Sequence, residues 1–211
     1  MLNKRNYSKE MEAVADMYRK SSESGDTPLR PRILLHVCCA PCFSGSIGSL
    51  SDWADVTAFF YNPNMNSEEE YDRRAAELSR YIKDAGLKVK VIIRKYDPAM
   101  FYRTSRGLEN VPEGGLRCEK CFALRLRETA EAAKENGFDY FATTLTLSPL
   151  KNAVKINNIG EIIGSDIGVQ YLPTDFKKKD GFKHSLEESE KYGLYRQDFC
   201  GCVYSMKDEI S

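Results

Sequence analysis

The ten residues from Ile33 to Cys42, ILLHVCCAPC, restrict the fold of this chain more than any other stretch. The apolar run Ile33-Leu34-Leu35 leads into His36-Val37, and three cysteines then arrive within five residues: Cys38, Cys39 and Cys42. The run is too brief for a helix and Pro41 is a punctuator, so the stretch predicts a buried strand and then a loop. In α/β proteins, ligands sit outside the carboxyl ends of such strands. Adjacent thiols fill core space poorly, so three of them at a strand end point to a metal or redox centre rather than to packing.

Four further cysteines support that reading. Cys118 and Cys121 form a C-x-x-C pair, and Cys200 and Cys202 form C-x-C, so all seven cysteines fall in three tight groups. Secreted disulfide scaffolds are small and cysteine-dense throughout, unlike this chain of 211 residues. The first twenty residues carry no apolar signal core, and no apolar run approaches the ~20 residues of a membrane helix. A reducing cytoplasm is therefore the expected location, with no membrane partner. The 31 basic residues balance the 31 acidic ones, which argues against a strongly basic nucleic-acid coat but leaves room for local patches.

Strand-like and helix-like stretches alternate along the chain. Met11, Val14, Ala15 and Tyr18 form the stripe of an amphipathic helix over residues 9–20. A polar linker, Ser21 to Pro28, makes that helix an appendage, so residues 1–30 read as an extension and 31–211 as the catalytic domain. Strands are expected at Arg32–Val37, Asp55–Tyr61, Leu87–Ile93, Asp139–Leu147 and Val169–Leu172, with Leu87–Ile93 alternating as a half-buried strand. A short helix is expected after the CCAPC loop. Ser67 and Glu70 fit a capping box for a helix stopped by Gly86. Asp97-Pro98 starts another helix, and Arg117 to Asn136 a longer one closed by Gly137. Ser148-Pro149 reads as a cap for a helix to about Ile163, and Ser185 with Glu188 as a second capping box for a helix ending at Gly193. The pattern predicts a single α/β domain, Rossmann-like, with a largely parallel sheet covered by helices on both faces. Its strand ends share one edge, where the CCAPC loop and the loops after Tyr61 and Leu147 can meet. No glycine-rich phosphate loop is present.

The thiol groups suggest distinct chemistries. Cys118 and Cys121, three apart at a helix start, direct their sulfurs to one side, and the helix amino end is expected to lower their pKa. With Cys38 and Cys39 they make four thiolates in two pairs, a set that suits zinc or an iron–sulfur cluster. Adjacent Cys38 and Cys39 can each take a different iron of a cubane. Cys39 and Cys42 also offer a C-x-x-C, so spacing alone leaves the ligand roles of the first group open. Cys200 and Cys202 can close only a small, strained ring, which suits an electron relay; ordinary thiols or further metal ligands are the competing readings.

A basic run, Lys177, Lys178 and Lys179, reads either as a solvated loop or as a contact for phosphates. Arg73, Arg74, Lys151, Lys155 and Arg196 could extend such a patch, and Tyr61, Phe176 and Tyr195 could stack on unpaired bases. His36 is read as a packed core histidine beside the thiols.

Taken together, HVCCAPC, YNPN with EEYDRR after it, GGLRCEKCFALRL, FATTLTLSPLKN, DFKKKDGF and YRQDFCGCVYS resemble the QueH-type epoxyqueuosine reductases, from about Arg32 to Ser205. The resemblance implies an oxidoreductase of tRNA modification. It would reduce the epoxide of epoxyqueuosine at the wobble position of tRNA, the last step of queuosine synthesis, without cobalamin. It implies a [4Fe-4S] cluster held by Cys38, Cys39, Cys118 and Cys121, an additional iron beside it with Cys42 offered to that metal, and a redox-active disulfide formed by Cys200 and Cys202. The partners implied are the modified tRNA, with Lys177, Lys178, Lys179, Arg196 and Tyr61 as RNA contacts, and an external electron donor. An iron could take the developing charge on the epoxide oxygen, with His36, Asp175 or Tyr61 as candidate proton donors. The alternatives are a tRNA sulfur-transfer enzyme on a similar sheet and a zinc-stabilised RNA-binding module. The first lacks its usual phosphate loop here, and the second leaves three separate thiol groups unexplained.

Overall fold

The structure is a computed structural model that describes residues 5–23 and 29–206. Five strands form one all-parallel sheet: β1 (Arg32–His36), β2 (Asp55–Phe60), β3 (Lys90–Ile93), β4 (Tyr140–Thr143) and β5 (Gln170–Tyr171), in the order β3-β2-β1-β4-β5. The central strand β1 is the apolar run that precedes the cysteines. The order reverses beside it: β2 and β3 lie to one side, β4 and β5 to the other. A crevice opens at the carboxyl ends of strands where the order reverses in this way.

Period-two alternation assigns the two faces of the sheet. Ile33 and Leu35, with Val56, Ala58, Phe60 and Ala142, enter one core, and Leu34, Phe59 and Phe141 enter the other. The first core is covered by α1 (Tyr7–Glu23), α2 (Ala40–Ile47) and α3 (Glu68–Asp84), with α7 (Gly181–Lys191) packed on α2. The second is covered by α5 (Leu116–Glu135) and α6 (Ala153–Ile167). A short helix, α4 (Ala99–Ser105), packs on α5. Met11 and Ala15 of α1 are buried in the first core and Tyr18 stacks on Trp53, so the amino-terminal helix contributes to that core. The linker expected over Ser21–Pro28 begins inside α1 and continues into residues outside those described.

Several elements differ from expectation for local reasons. The half-buried strand expected over Leu87–Ile93 shortens to an edge strand, β3, whose Ile92 and Ile93 are exposed. The strand expected over Asp139–Leu147 stops at Thr143, where the chain tightens into a 3₁₀ turn, Thr144–Leu147. The Thr143 hydroxyl accepts from the Leu145 amide there and offers the backbone an alternative to extension. The Ser148-Pro149 cap is not used. Asn152 caps α6 instead, accepting from the amides of Val154 and Lys155. The second capping box is also absent: α7 begins four residues earlier, and the Ser185 hydroxyl donates to the Phe182 carbonyl. Half of the first box forms: Ser67 accepts from the Glu70 amide, while the Glu70 carboxylate turns to Arg74 instead of back to the helix start.

Helices α2 and α7 cross at glycine. A Cβ on Gly45 would stand 2.5 Å from the Gly181 carbonyl oxygen and 2.8 Å from the Ser185 Cβ. Backbone cannot yield cheaply, so Gly45→Ala is expected to destabilise the protein by about 1–3 kcal/mol, the usual cost of overpacking. Urea unfolding of the two proteins side by side checks this. A midpoint unchanged by the substitution would mean that the helices are not held this close.

Candidate metal centre

The first thiol group is built by the end of β1. Cys38 leaves the strand, and Cys39 adopts the extended conformation of an N-cap (φ −169°) while its sulfur accepts from the Cys42 amide at 3.3 Å. Pro41 suits the first turn of α2, where its missing N–H has no intrahelical partner to lose. One helical turn thus brings Cys42 back over Cys39. The three sulfurs lie within 4.8 Å of one another, with Cys38 and Cys39 3.9 Å apart. The 3₁₀ turn after β4 supports Cys38, since Thr144 Oγ1 accepts from the Cys38 amide at 3.4 Å and meets its sulfur at 3.6 Å. Three thiols this close cannot all ionise. Hydrogen bonds from Cys39 and Cys42 hold the Cys38 thiol well below its ordinary range. The contact with Cys38 pushes Cys39 up to about 12, and contacts with Cys38 and Cys39 push Cys42 well above normal.

The second group sits on the first turns of α5. Cys118 packs, with Cys38, against the core beneath α5 and α6, and its sulfur accepts from the Gly114 amide at 3.3 Å. Cys121 is buried against Phe101 and Cys202. The expectation that the helix amino end lowers these pKa values does not hold. Burial pushes Cys118 up and Cys121 up to about 11, because desolvation of a thiolate outweighs the helix end. A metal ion would reverse that balance, since coordination deprotonates a thiol.

The third group is pinned from the far side of the sheet edge. The Asn66 amide donates to the Gly201 carbonyl at 2.8 Å. Gly201 lies at φ +108°, and a Cβ there would strike the Met65 sulfur at 2.6 Å. Only glycine fits between Cys200 and Cys202 in this geometry. Both thiols are free in the structure, and the Cys202 sulfur lies 3.5 Å from the Ser205 hydroxyl.

A cavity of about 390 Å³ opens over the first group and Cys200, whereas Cys118, Cys121 and Cys202 do not line it. Cys38, Cys39, Cys42 and Cys200 line it, together with Phe182 and Phe199 and the cations Arg74, Arg125, Lys151 and Arg196. Leu150 stands at its wall and is 87% exposed. Arg125 is the residue that sequence reasoning missed. Its guanidinium is fully buried and its Nε donates to the Cys121 carbonyl, while Nη2 has no hydrogen-bond partner. Burial opposes its charge, but Cys121, Cys200, Cys38 and Cys202 outweigh that and raise its pKa further. It stands four residues after Cys121, the helical spacing that places two side chains on one face, and that spacing was the available signal.

Other expected site residues have other occupations. His36 is fully buried, with Nδ1 2.9 Å from Thr143 Oγ1 and Nε2 3.1 Å from the Tyr61 carbonyl. Burial drives its pKa down to about 3, so it is neutral. The unfolded chain takes up a proton near pH 6.5 that the folded one refuses down to about pH 3. Stability is therefore full above pH 6.5 and falls below it by up to about 1.4 kcal/mol per pH unit. His36→Asn is expected to flatten this slope in urea titrations compared at about pH 7 and about pH 5, on either side of the unfolded pKa.

The basic loop is largely spoken for. Lys177 pairs with Asp175 at 2.9 Å, Lys179 pairs with Glu12 of α1, and Lys178 is exposed. Arg196 donates to the Ser185 carbonyl and the Ser189 hydroxyl at the cavity wall. Tyr61 is partly buried and leans on Phe59. Phe176, read as a base-stacking candidate, is instead buried in the first core, and Tyr195 carries Arg73 over its ring at 3.4 Å. Arg74 is buried and paired with Glu70 at 2.5 Å, and Lys155 pairs with Glu119.

No described helix is long and apolar enough to cross a membrane. Residues 33–208 match the family model described as epoxyqueuosine reductase QueH. A protein named epoxyqueuosine reductase QueH from Streptococcus pyogenes serotype M1 is 43% identical over 96% of this chain and 78% of its own length. Its namesake from Staphylococcus epidermidis is 41% identical over 97% of this chain and 87% of its own length. Among solved structures, the U34-tRNA thiolase NcsA from Methanococcus maripaludis with its [4Fe-4S] cluster shares the fold at a TM-score of 0.51 and 13% identity, covering 94% of this chain and 69% of that one. On the strength of the family model and these relatives, the chain belongs to the epoxyqueuosine reductase QueH family and is an oxidoreductase.

Proposed function

We propose that this protein reduces the epoxide of epoxyqueuosine in tRNA to the alkene of queuosine, in the cavity walled by Cys38, Cys39, Cys42 and Cys200. The observation that carries this reading is the close approach of three sulfurs, within 4.8 Å, on the wall of a cavity that also receives the C-x-C tail. Soft thiolate donors at that spacing suit iron, and cysteine is the usual ligand of iron–sulfur clusters. Cys38, Cys39, Cys118 and Cys121 would hold a [4Fe-4S] cluster, and Cys42 an additional iron beside it. When bound, such a cluster supplies electrons one at a time.

The reaction needs two electrons and two protons. Both C–O bonds of the epoxide break, a C=C bond forms, and the oxygen leaves as water. Oxidation of the Cys200 and Cys202 thiols to a disulfide supplies the same count: two S–H bonds break and one S–S bond forms. An external electron donor then restores the dithiol. A single glycine between the two cysteines makes the ring small and strained, which favours this return.

The rest of the site handles the nucleoside. A volume of about 390 Å³ falls within the range of small-molecule pockets. Phe182 and Phe199 offer aromatic surface for a base, and an anticodon-loop base can enter without melting a duplex. The exposed Lys178 is available to phosphates, and Arg196, anchored by Ser185 and Ser189, adds positive charge at the cavity wall.

The test is direct. Anaerobically reconstituted protein is incubated with an anticodon stem-loop carrying epoxyqueuosine and a low-potential reductant, and the digested RNA is weighed by mass spectrometry. Loss of the mass of one oxygen atom is expected. An intact epoxide, or a nucleoside that has gained sulfur, would overturn the proposal.

A further inference from the structure

The geometry points to Lys151 as the cation that meets the epoxide oxygen, donating a hydrogen bond from Nζ as negative charge collects there. The inference rests on the reductase reading and assigns a residue to the part of the reaction that reading leaves without one.

Four cations line the cavity, and three are anchored by the protein. Arg74 is held by Glu70, and Arg196 by the Ser185 carbonyl and the Ser189 hydroxyl. Arg125 is held inside the core by the Cys121 carbonyl and the Asn62 side-chain oxygen, so that only its buried Nη2 is unpartnered. Lys151 makes no ion pair among the described residues. It is only partly buried, so a substrate can reach it. Its position is fixed from both sides: the Lys151 amide donates to the Ser148 carbonyl, and Asn152 caps α6 immediately after it.

The candidates drawn from sequence do not reach this place. Both ring nitrogens of His36 are occupied beneath the sheet edge, the Asp175 carboxylate is paired with Lys177, and Tyr61 lies against Phe59. None of the three lines the cavity, whereas Lys151 does, beside Cys38, Cys42 and Cys200. An ammonium aimed at an oxygen whose bonds to carbon are breaking stabilises the charge that develops only in the transition state. The two protons that complete water come from the Cys200 and Cys202 thiols, so Lys151 ends each cycle as it began.

Single-turnover reduction by pre-reduced holoenzyme on the epoxyqueuosine stem-loop tests this. Lys151→Met is expected to slow the step about 100- to 1,000-fold, the cost of removing one such donor. Iron content, the paramagnetic resonance spectrum and the stem-loop Kd should stay within about twofold of the parent, as a group acting only in the transition state requires. Ethylammonium should partly restore Lys151→Ala, and tetramethylammonium, which has the charge but no N–H, should not. A Lys151→Met enzyme at the parental rate overturns the inference. So does a loss seen in Kd rather than rate, which would make Lys151 a phosphate contact, or in iron content, which would make it a prop of the metal site. Equal rescue by both cations also overturns it. A parent holoenzyme that leaves the epoxide intact overturns the reductase reading and this role together; an active parent with an unaffected Lys151→Met overturns this role alone.

Discussion

Cys38→Ser is expected to yield a folded, colourless protein with less iron and reductase activity lower by more than about 100-fold. Changing even the partners of metal ligands costs roughly 10–100-fold, so losing a ligand should cost more. Serine keeps the size of the side chain and removes the soft donor that iron prefers. Cys38 is the thiol of the first group that hydrogen bonds from Cys39 and Cys42 favour as thiolate, and it stands at the junction of β1 with the 3₁₀ turn after β4. The fold should survive, because Ile33, Leu34 and Leu35 carry the burial of that strand and Cys38 itself is only partly buried. Iron per chain, visible absorption and circular dichroism separate the outcomes. Cys118→Ser should behave alike. Either variant inactive but with full iron would contradict its assignment as a ligand.

Cys200→Ser is expected to do the opposite: full iron, unchanged visible absorption, and turnover reduced to background. A lone thiol cannot form the disulfide that balances two-electron reduction, so the loss belongs to chemistry rather than to cofactor binding. Cys202→Ser and the double variant should lose as much as the single one, to within about twofold, because residues that act as a unit are not additive. Stability should barely change for Cys200, which is only partly buried, whereas Cys202 is buried with Phe101 and Cys121 and its variant should be modestly less stable. A Cys200→Ser enzyme that turns over repeatedly would remove the dithiol from the mechanism. Thiol titration of the parent after one turnover under an electron-donor limit should find two fewer free thiols per chain.

Together the two variants would divide the cysteines by function. Cys38 and Cys118 would govern the metal, and Cys200 and Cys202 the electrons that reach the nucleoside. Lys151 would govern neither, and would act on rate alone. The three phenotypes do not overlap, so one preparation of each variant, assayed for iron, RNA affinity and single-turnover rate, distinguishes the roles.

The sequence by itself determined the sheet, its parallel sense and the edge at which the first thiol group stands. Each of those comes from local pattern: alternating apolar residues, helix caps such as Ser67, and cysteines placed where β1 ends. Local pattern failed where a side chain or backbone had two competing partners. Thr143 turned its hydroxyl to the chain and cut β4 short, Asn152 outcompeted Ser148 as a cap, and Phe176 went to the core instead of to solvent. The tertiary structure alone decided which charges are free. Asp175 and Glu12 stand beside Lys177 and Lys179, and Lys151 lines the cavity that Cys38, Cys42 and Cys200 also line. Spacing along a chain records which groups share a helix turn or a strand face; the field at a given charge comes from groups distant in sequence, and only folding brings those together.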